Sequence, residues 1–353
     1  MFHRVVGRRV ANFLAVGWGS SRHAIAGLSI QPRCLAPALL LGGLLLQGAA
    51  QADYIQHPQA QALVDELVSE EGFSRTELEG WFSQVEKKQS ILDAIARPAE
   101  KTKTWEEYRK IFVTPSRIEK GVAFWLENRQ TLERMEAEFG VPAQMVVAII
   151  GVETRYGRHK GSYRVMDALS TLAFDYPRRS TFFTKELKQF LLLAREQGQQ
   201  PMDLKGSYAG AMGYGQFMPS SYRAYAVDFD GDELIDIWEN PVDAIGSVAN
   251  YFVRHGWQKG DPVVSRARPE KGYDASLLNA SLKPQHTVAE LKQSGFTPLA
   301  DYPGEGKGTV IKLQGEHGAE FWLGLNNFYT ITRYNHSRLY ARAVYELSQA
   351  LIK

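Results

Sequence analysis

The sequence is almost free of cysteine, with a single one, Cys34, among 353 residues. Cys34 precedes an apolar run at residues 35–46, whereas a lipid-modified cysteine would directly follow such a run at a cleavage site. We therefore expect no lipid anchor. If the segment up to residue 52 is removed, the remaining chain has no thiol and can form no disulfide.

Acidic residues and lysine are absent from residues 1–52, which contain the arginines Arg4, Arg8, Arg9, Arg22 and Arg33. These arginines lead into the apolar run, and Ala50 and Ala52 then supply the small residues that a signal peptidase recognises. The run is roughly half of the ~20 apolar residues that a membrane span requires. We expect a targeting segment cleaved before Asp53, although it is long and its arginine pair is only a weak twin-arginine signal.

The charge balance excludes a nucleic-acid-binding surface. Without the arginines of the leader, 36 of the 41 basic residues remain against 39 acidic ones, a formal net charge of −3. The 44% hydrophobic and 23% charged residues are typical of a globular chain, long enough for two or three compact units.

Several catalytic motifs are missing. Ser207 is not in a G-x-S-x-G sequence, the glycines do not match G-x-G-x-x-G, and the eight histidines contain no H-E-x-x-H. These absences disfavour a serine hydrolase, a dinucleotide-binding protein and a catalytic zinc site.

The hydrophobic pattern predicts a mainly helical α+β fold. Residues 53–130 have helical spacing, with Ser74 and Thr76 as candidate N-caps, and helical patterns continue through residues 131–257 between glycine-dense loops. Residues 258–322 contain short β-prone runs such as "TVIKL" and "EFWLGL" between turn residues, which predict a small β-containing domain. Residues 323–353 return to helix.

One glutamate ends an apolar helical segment. In "VAIIGVETRYG", Glu153 is the first charged residue after a run of apolar residues and glycine. Partial burial and the negative end of the helix dipole both disfavour a carboxylate, so we predict a raised pKa and a general acid. The alternative is a surface glutamate paired with Arg155 or Arg158.

A glycine-rich stretch follows at residues 206–222, "GSYAGAMGYGQFMPSSY". Glycines let the backbone approach a ligand closely, and aromatic rings offer flat faces to sugar rings, with polar side chains to orient them. This pattern indicates a carbohydrate site, and the alternative is a turn with core aromatics.

An acidic loop, "DFDGDELIDIWENPVD", places Asp228, Asp230 and Asp232 at positions 1, 3 and 5 of an EF-hand-like loop, with the Leu234 carbonyl at position 7. It departs from the usual loop, because Glu233 occupies the position of the usual glycine. Clustered carboxylates favour a hard cation such as calcium. The alternative is a solvated acidic turn.

Together, "GVETRYG", the glycine-rich stretch, "DFDGDELIDIW", "NPVDAIGSVANYF" and "NNFYTITRYNHSRLYARAVYEL" closely resemble the lytic transglycosylase B family, glycoside hydrolase family 103. The resemblance implies a lysozyme-like core at residues 131–257, flanked by a helical domain and a small β domain. It implies action on peptidoglycan glycan strands in the periplasm, and catalysis by one glutamate that acts first as acid and then as base, giving a 1,6-anhydro ring on muramic acid.

The resemblance also assigns residues. It gives Glu153 the acid and base role and places in the cleft Ser207, Gln216, Tyr251, Tyr334, Asn335 and Tyr340. Phe217 would add a stacking face, and Arg178 and Arg179 match a basic pair suited to acidic groups of the substrate. It implies no catalytic cofactor. A structural calcium ion would be closed in by Asp243, or alternatively by Glu239, because the loop has one more residue before Pro241 than the family pattern.

Two rival hypotheses remain at this point. A hydrolytic muramidase would need a second carboxylate, for which Asp167 and Asp175 are the candidates, although we interpret Asp167 as a helix N-cap and Asp175 as a turn residue. A non-catalytic scaffold would bind glycan strands without cleaving them. The expected partners are peptidoglycan and other cell-wall enzymes, and the expected state is a monomer without nucleic acid or a stable membrane anchor.

Overall fold

Helices dominate the chain in this computed structural model, which describes residues 54–96 and 103–353. The predicted leader, residues 1–52, lies outside the described residues. The helices are α1 Pro58–Glu71, α2 Arg75–Phe82, α3 Gln89–Ile95, α4 Trp105–Phe112, α5 Pro115–Glu127, α6 Arg129–Phe139, α7 Ala143–Thr154, α8 Val165–Asp175, α9 Ser180–Glu196, α10 Pro219–Tyr225, α11 Pro241–Arg254, α12 Val288–Gln293, α13 Asn326–Tyr334 and α14 Arg338–Ala350.

Helix ends follow from the local sequence. Ser74 is the N-cap of α2 and its side chain accepts a hydrogen bond from the Glu77 amide, which confirms that prediction, whereas Thr76 lies inside the helix. Thr114 caps α5 in the same way, directly before Pro115, whose ring is tolerated at the first helical position.

The strands are β1 Tyr163–Arg164, β2 Lys205–Gly206, β3 Val264–Pro269, β4 His286–Thr287, β5 Phe296–Pro298, β6 Lys307–Gly315 and β7 Gly318–Gly324. The first two form a short antiparallel pair, and the rest form an antiparallel sheet in the order β4-β6-β7-β3-β5. The predicted runs "TVIKL" and "EFWLGL" fall in β6 and β7, joined in a hairpin with Lys312 opposite Phe321.

The sheet has its own small core, formed by buried residues such as Phe296, Val310 and Leu323. A larger core surrounds α7, on which α5, α6, α11 and α14 pack. The described residues fall within a single compact unit, and the division into domains at residues 130, 257 and 322 stays a prediction. In the described part of the chain, no lone helix is long and apolar enough to cross a bilayer; α6 and α7 meet that criterion only as a pair bent by 117°.

Candidate active site

Glu153 lies on the last turn of α7, next to the end of the helix at Thr154. Residues 145–152 are buried, and Glu153 itself is half-buried. The hydroxyl of Tyr340, on α14, donates a hydrogen bond of 2.5 Å to Oε1 of Glu153. This length is typical of a hydroxyl that donates to a charged carboxylate. A buried side chain 187 residues away in sequence therefore fixes the orientation of the acid.

The negative charge of Glu153 affects the pKa values of two nearby tyrosines. Burial, and then the negative charge of Glu153, raise the pKa of both Tyr334 and Tyr340 well above the usual value for a phenol. Both hydroxyls therefore keep their protons at neutral pH and act as hydrogen-bond donors. The Tyr334 hydroxyl donates to the carbonyl of Gly215 at 2.6 Å, which ties α13 to the glycine-rich loop beside the glutamate.

This contact requires a glycine at position 215. A Cβ built there would lie 2.8 Å from the Tyr334 hydroxyl oxygen and 3.1 Å from Cγ2 of Val248. Any other residue would push Tyr334 away from the loop. The glycine density of residues 206–222 thus reflects close packing of the loop against the tyrosines.

Tyr251, Tyr334 and Phe217 pack as a cluster of rings, with centroids 4.7 Å apart for the two tyrosines and 5.7 and 6.0 Å from Phe217 to each. Burial raises the pKa of Tyr251 to about 12, and its hydroxyl donates to the Arg333 carbonyl at 2.6 Å. Phe217 is only 3% exposed. The buried ring packs against both tyrosines and supports them, and a stacking face for substrate at Phe217 stays a prediction.

Thr154 is a residue that sequence reasoning missed. It is fully buried, and its hydroxyl lies 3.1 Å from the Ile150 carbonyl and 3.0 Å from the Tyr214 carbonyl, while it accepts a hydrogen bond from the Gly157 amide. It thus joins the end of α7 to the glycine-rich loop. Its position in the last helical turn was the available signal, because threonine there often bonds back to the carbonyl four residues earlier.

Ser207 and Gln216 brace the glycine-rich loop. The Ser207 hydroxyl accepts hydrogen bonds from the Ala209 and Ala211 amides at 3.3 and 3.0 Å. Gln216 has a left-handed backbone with φ 52°, and its Nε2 donates to the Lys160 and Gly213 carbonyls. Asn335 follows the end of α13 in extended conformation. A direct contact of these side chains with substrate stays a prediction.

Arg178 and Arg179 lie on a 3-10 turn, Pro177–Arg179, between α8 and α9, and both are exposed. The Arg179 guanidinium lies 4.2 Å from the centroid of the Phe182 ring. Exposure leaves both cations accessible to an acidic group, and their role in substrate binding stays a prediction.

Both candidates for a second carboxylate have structural partners. Asp167 is not an N-cap as predicted, because α8 already begins at Val165. Its carboxylate is only 1% exposed and accepts hydrogen bonds from the Glu86 amide at 3.0 Å and from Arg164 Nε at 2.8 Å. Asp175 ends α8, pairs with Lys87 and accepts a hydrogen bond from the Tyr54 hydroxyl. Both carboxylates hold the N-terminal helices to α8.

The acidic loop brings together three of the predicted ligands. Carboxylate oxygens of Asp228, Asp230 and Asp232 lie within 4.8 Å of one another. Glu233, at the position usually held by glycine, has φ 72°, and its amide donates to Asp228. Leu234 is exposed at the predicted seventh position. This set of hard oxygen donors fits a calcium ion.

Asp243 is not one of these three carboxylates, and its role as the ligand that closes the loop stays a prediction. It is fully buried, and its two oxygens accept hydrogen bonds of 2.8 Å from the Phe229 and Asp236 amides. Burial, and then the charges of Asp230 and Asp228, raise the pKa of Asp243 despite the hydrogen bonds from these two amides. The alternative ligand, Glu239, is exposed and pairs with Lys160 at 2.8 Å. Asp243 therefore braces both ends of the loop from the interior.

Comparisons with known proteins agree with this architecture. Residues 56–349 match the family model of the transglycosylase SLT domain. The chain is 44% identical to membrane-bound lytic murein transglycosylase B of Escherichia coli strain K12 over 324 residues, which cover 88% of each chain. This chain therefore belongs to the transglycosylase SLT domain family.

Two solved structures add detail. The Escherichia coli lytic transglycosylase Slt35 in complex with calcium is 45% identical with a TM-score of 0.78, over 85% of this chain and 94% of that one. SltB3 from Pseudomonas aeruginosa in complex with NAG-anhNAM-pentapeptide is 32% identical with a TM-score of 0.75. The alignment covers 83% of this chain and 78% of the SltB3 chain. These similarities confirm the predicted mainly helical fold with a lysozyme-like core and a small sheet.

Proposed function

We propose that the protein is a peptidoglycan lytic transglycosylase. It cleaves the β-1,4 bond between N-acetylmuramic acid and N-acetylglucosamine and leaves a 1,6-anhydro ring on the muramic acid. The observation that carries this proposal is Glu153, half-buried at the end of α7 and oriented by the hydroxyl of Tyr340. Family membership and the anhydro-sugar ligand in the SltB3 structure support the choice of substrate.

One carboxyl group serves both steps of this reaction. Protonated Glu153 donates its proton to the glycosidic oxygen as the bond to C1 breaks, and N-acetylglucosamine leaves as an alcohol. The resulting carboxylate, stabilised by the hydrogen bond from Tyr340, accepts the proton of the C6 hydroxyl, whose oxygen bonds to C1. The acid returns to its starting state without consuming water.

The surroundings of the other carboxylates support a single acid. A hydrolytic mechanism needs a second carboxylate as nucleophile or base. Asp167 and Asp175 are instead held by Arg164 and Lys87. Neither side chain is available as a base without breaking an ion pair.

The products of purified peptidoglycan test this proposal. Because C6 oxygen attacks C1, the muramic acid ends should be one water lighter than hydrolytic ends and should resist borohydride reduction. Mass analysis with and without reduction measures both properties. Reducible ends as the main product would establish a muramidase, and binding without turnover would establish a scaffold.

We further propose that the acidic loop holds a structural calcium ion through Asp228, Asp230, Asp232 and the Leu234 carbonyl. The calcium complex of Slt35 supports this assignment. The ion would supply no catalytic group and would offset the repulsion among three carboxylates. Its binding would thus appear as stability of the folded chain.

Added calcium should raise the melting temperature by several degrees. When the free calcium concentration is about a hundred times the dissociation constant, binding to the folded state alone raises the free energy of unfolding by about 2.7 kcal/mol. Differential scanning calorimetry with 1 mM calcium, compared with magnesium, measures the shift. Asp228→Ala is the matched variant, because it removes the carboxylate at the first ligand position. An equal shift in this variant would contradict the calcium site.

We propose a periplasmic enzyme, soluble and monomeric after cleavage before Asp53, that acts on glycan strands alongside other cell-wall enzymes. The relative in Escherichia coli is named as membrane-bound, so the experiment must test whether this protein is attached to the membrane. N-terminal sequencing of protein from the periplasmic fraction should begin at Asp53. An intact leader in washed membranes would contradict solubility.

A further inference from the structure

A cavity of about 230 Å³ adjoins the end of α7, and none of the residues around it belongs to the predicted site. We call it the α5 pocket; its lining residues are Thr114, Ser116, Arg117, Lys120, Arg155 and Tyr156. Arg155 follows Glu153 by two positions, so their Cα atoms lie no more than about 7 Å apart. The α5 pocket thus includes a residue two positions from the catalytic acid.

The α5 pocket is positively charged and lacks a counter-charge. Three of its residues, Arg117, Lys120 and Arg155, are cationic, and none is acidic. Across residues 54–96 and 103–353, the ion pairs found do not include any of these three. Of the three, Arg117 is buried, Lys120 is half-buried and Arg155 is exposed. A buried charge such as that of Arg117 is normally paired, so this arrangement calls for an anion from outside the chain.

Arg117 carries the strongest sign of a missing ligand. It is only 6% exposed, and its Nη1 has no hydrogen-bond partner within the described part of the chain. Burial, and then the charge of Arg155, lower the pKa of Arg117. An unpaired buried guanidinium nitrogen costs free energy that an oxyanion would recover through charge-assisted hydrogen bonds.

The backbone holds these groups in place. Arg155 and Tyr156 both have left-handed conformations, with φ of 51° and 62°, and the Tyr156 hydroxyl donates to the Arg117 carbonyl at 2.9 Å. Strained residues of this kind persist where the surrounding structure enforces them, often at functional sites. The N-terminus of α5, capped by Thr114, adds a dipole that favours an anion.

We propose that the α5 pocket binds a carboxylate of the peptide stem that muramic acid carries, an inference that rests on the proposed function. Muramic acid has one carboxyl group, which is uncharged in the intact strand because it forms the amide bond to the stem, whereas the stem has free carboxylates at its end and on its side chains. Because Arg155 lies two positions from Glu153 in the chain, an anion linked to the sugar under attack is the favoured occupant. The enzyme would thus distinguish glycan with charged stems from glycan whose stem carboxylates are neutralised.

Binding in a Glu153→Gln background tests this inference without depending on turnover. Glycan strands with intact stems should bind about tenfold more tightly than the same strands after their stem carboxylates have been converted to neutral amides. Removal of the stems by an amidase is not used, because it would free the lactyl carboxylate of each muramic acid. Adding Arg155→Gln or Lys120→Gln should abolish this difference, because each removes one cation from an exposed or half-exposed side chain. Arg158→Gln, an exposed neighbour outside the pocket, is the matched control and should keep the difference.

Other outcomes overturn the assignment. Equal binding of the two glycans in the background protein would exclude stem recognition, as would a difference that survives Arg155→Gln and Lys120→Gln. A second experiment measures the melting temperature with added inorganic phosphate at constant ionic strength. A rise in melting temperature that needs Arg155, without any effect of the stems, would assign the pocket to a free anion. Reducible products from the wild type would overturn the reaction but not the measured stem dependence.

Discussion

Glu153→Gln should lose nearly all turnover of peptidoglycan while keeping its affinity for glycan strands. Glutamine has nearly the same shape, and its amide oxygen can still accept the hydrogen bond from Tyr340, so the site should stay assembled. It can neither donate the proton to the glycosidic oxygen nor accept the one from the C6 hydroxyl. General acid and base assistance is worth roughly 10²–10⁴-fold, and the upper end is expected because one residue serves both steps.

Release of anhydro-muropeptides from sacculi measures the rate, and sedimentation with sacculi measures binding. Glu127→Gln, on the exposed side of α5, makes the same chemical change away from the site and should retain full activity. A Glu153→Gln protein with more than about a tenth of wild-type activity would contradict the role of Glu153 as the acid.

The local sequence was sufficient to single out Glu153. A carboxylate after an apolar helical run must lie at the edge of a buried helix, and α7 ends at the next residue. The β-prone runs in the C-terminal region were predictable for a similar reason, because alternation and turn residues act over a few positions.

Contacts between distant segments were not predictable from local pattern. Only the family resemblance placed Tyr340 in the predicted site, because 187 residues separate it from Glu153 in the sequence. Asp167 has a local sequence typical of an N-cap, but the Glu86 amide, 81 residues away in sequence, donates to its carboxylate. The oxygens of Asp243 accept hydrogen bonds from amides of its own loop, which the pattern of alternating aspartates does not indicate. Phe217 is covered by tyrosines from α11 and α13, which its own glycine-rich stretch cannot indicate.

The α5 pocket illustrates the same limit. Its cations come from two segments, residues 114–120 and 155–156, and neither has a charge run or motif that marks a ligand site. Only the packing of α5 against α7 brings Arg117 and Arg155 close enough for one to lower the pKa of the other.

Tyr340→Phe should lower kcat by about tenfold to a hundredfold with little change in KM. The variant keeps the ring but removes the hydroxyl that donates to Glu153, and a hydrogen bond to a charged group is worth about 1.5–3 kcal/mol. The loss should fall on kcat, because the bond stabilises the carboxylate that forms when the glycosidic oxygen takes its proton. A hydrogen bond to the charged form also favours ionisation, so its removal should raise the pKa of Glu153 and move the alkaline limb of the pH–rate profile, where the general acid loses its proton, to higher pH.

Tyr345→Phe is the matched control for this variant, since Tyr345 lies on the same helix, half-buried, and outside the site. It should leave both the rate and the pH profile unchanged. The double variant of Glu153→Gln with Tyr340→Phe should be no slower than Glu153→Gln alone, because Tyr340 acts through the carboxylate that the first change removes. Additive losses in the double variant would show that Tyr340 contributes to catalysis independently of Glu153. An unshifted pH profile in Tyr340→Phe would show that the hydrogen bond positions Glu153 without influencing its ionisation.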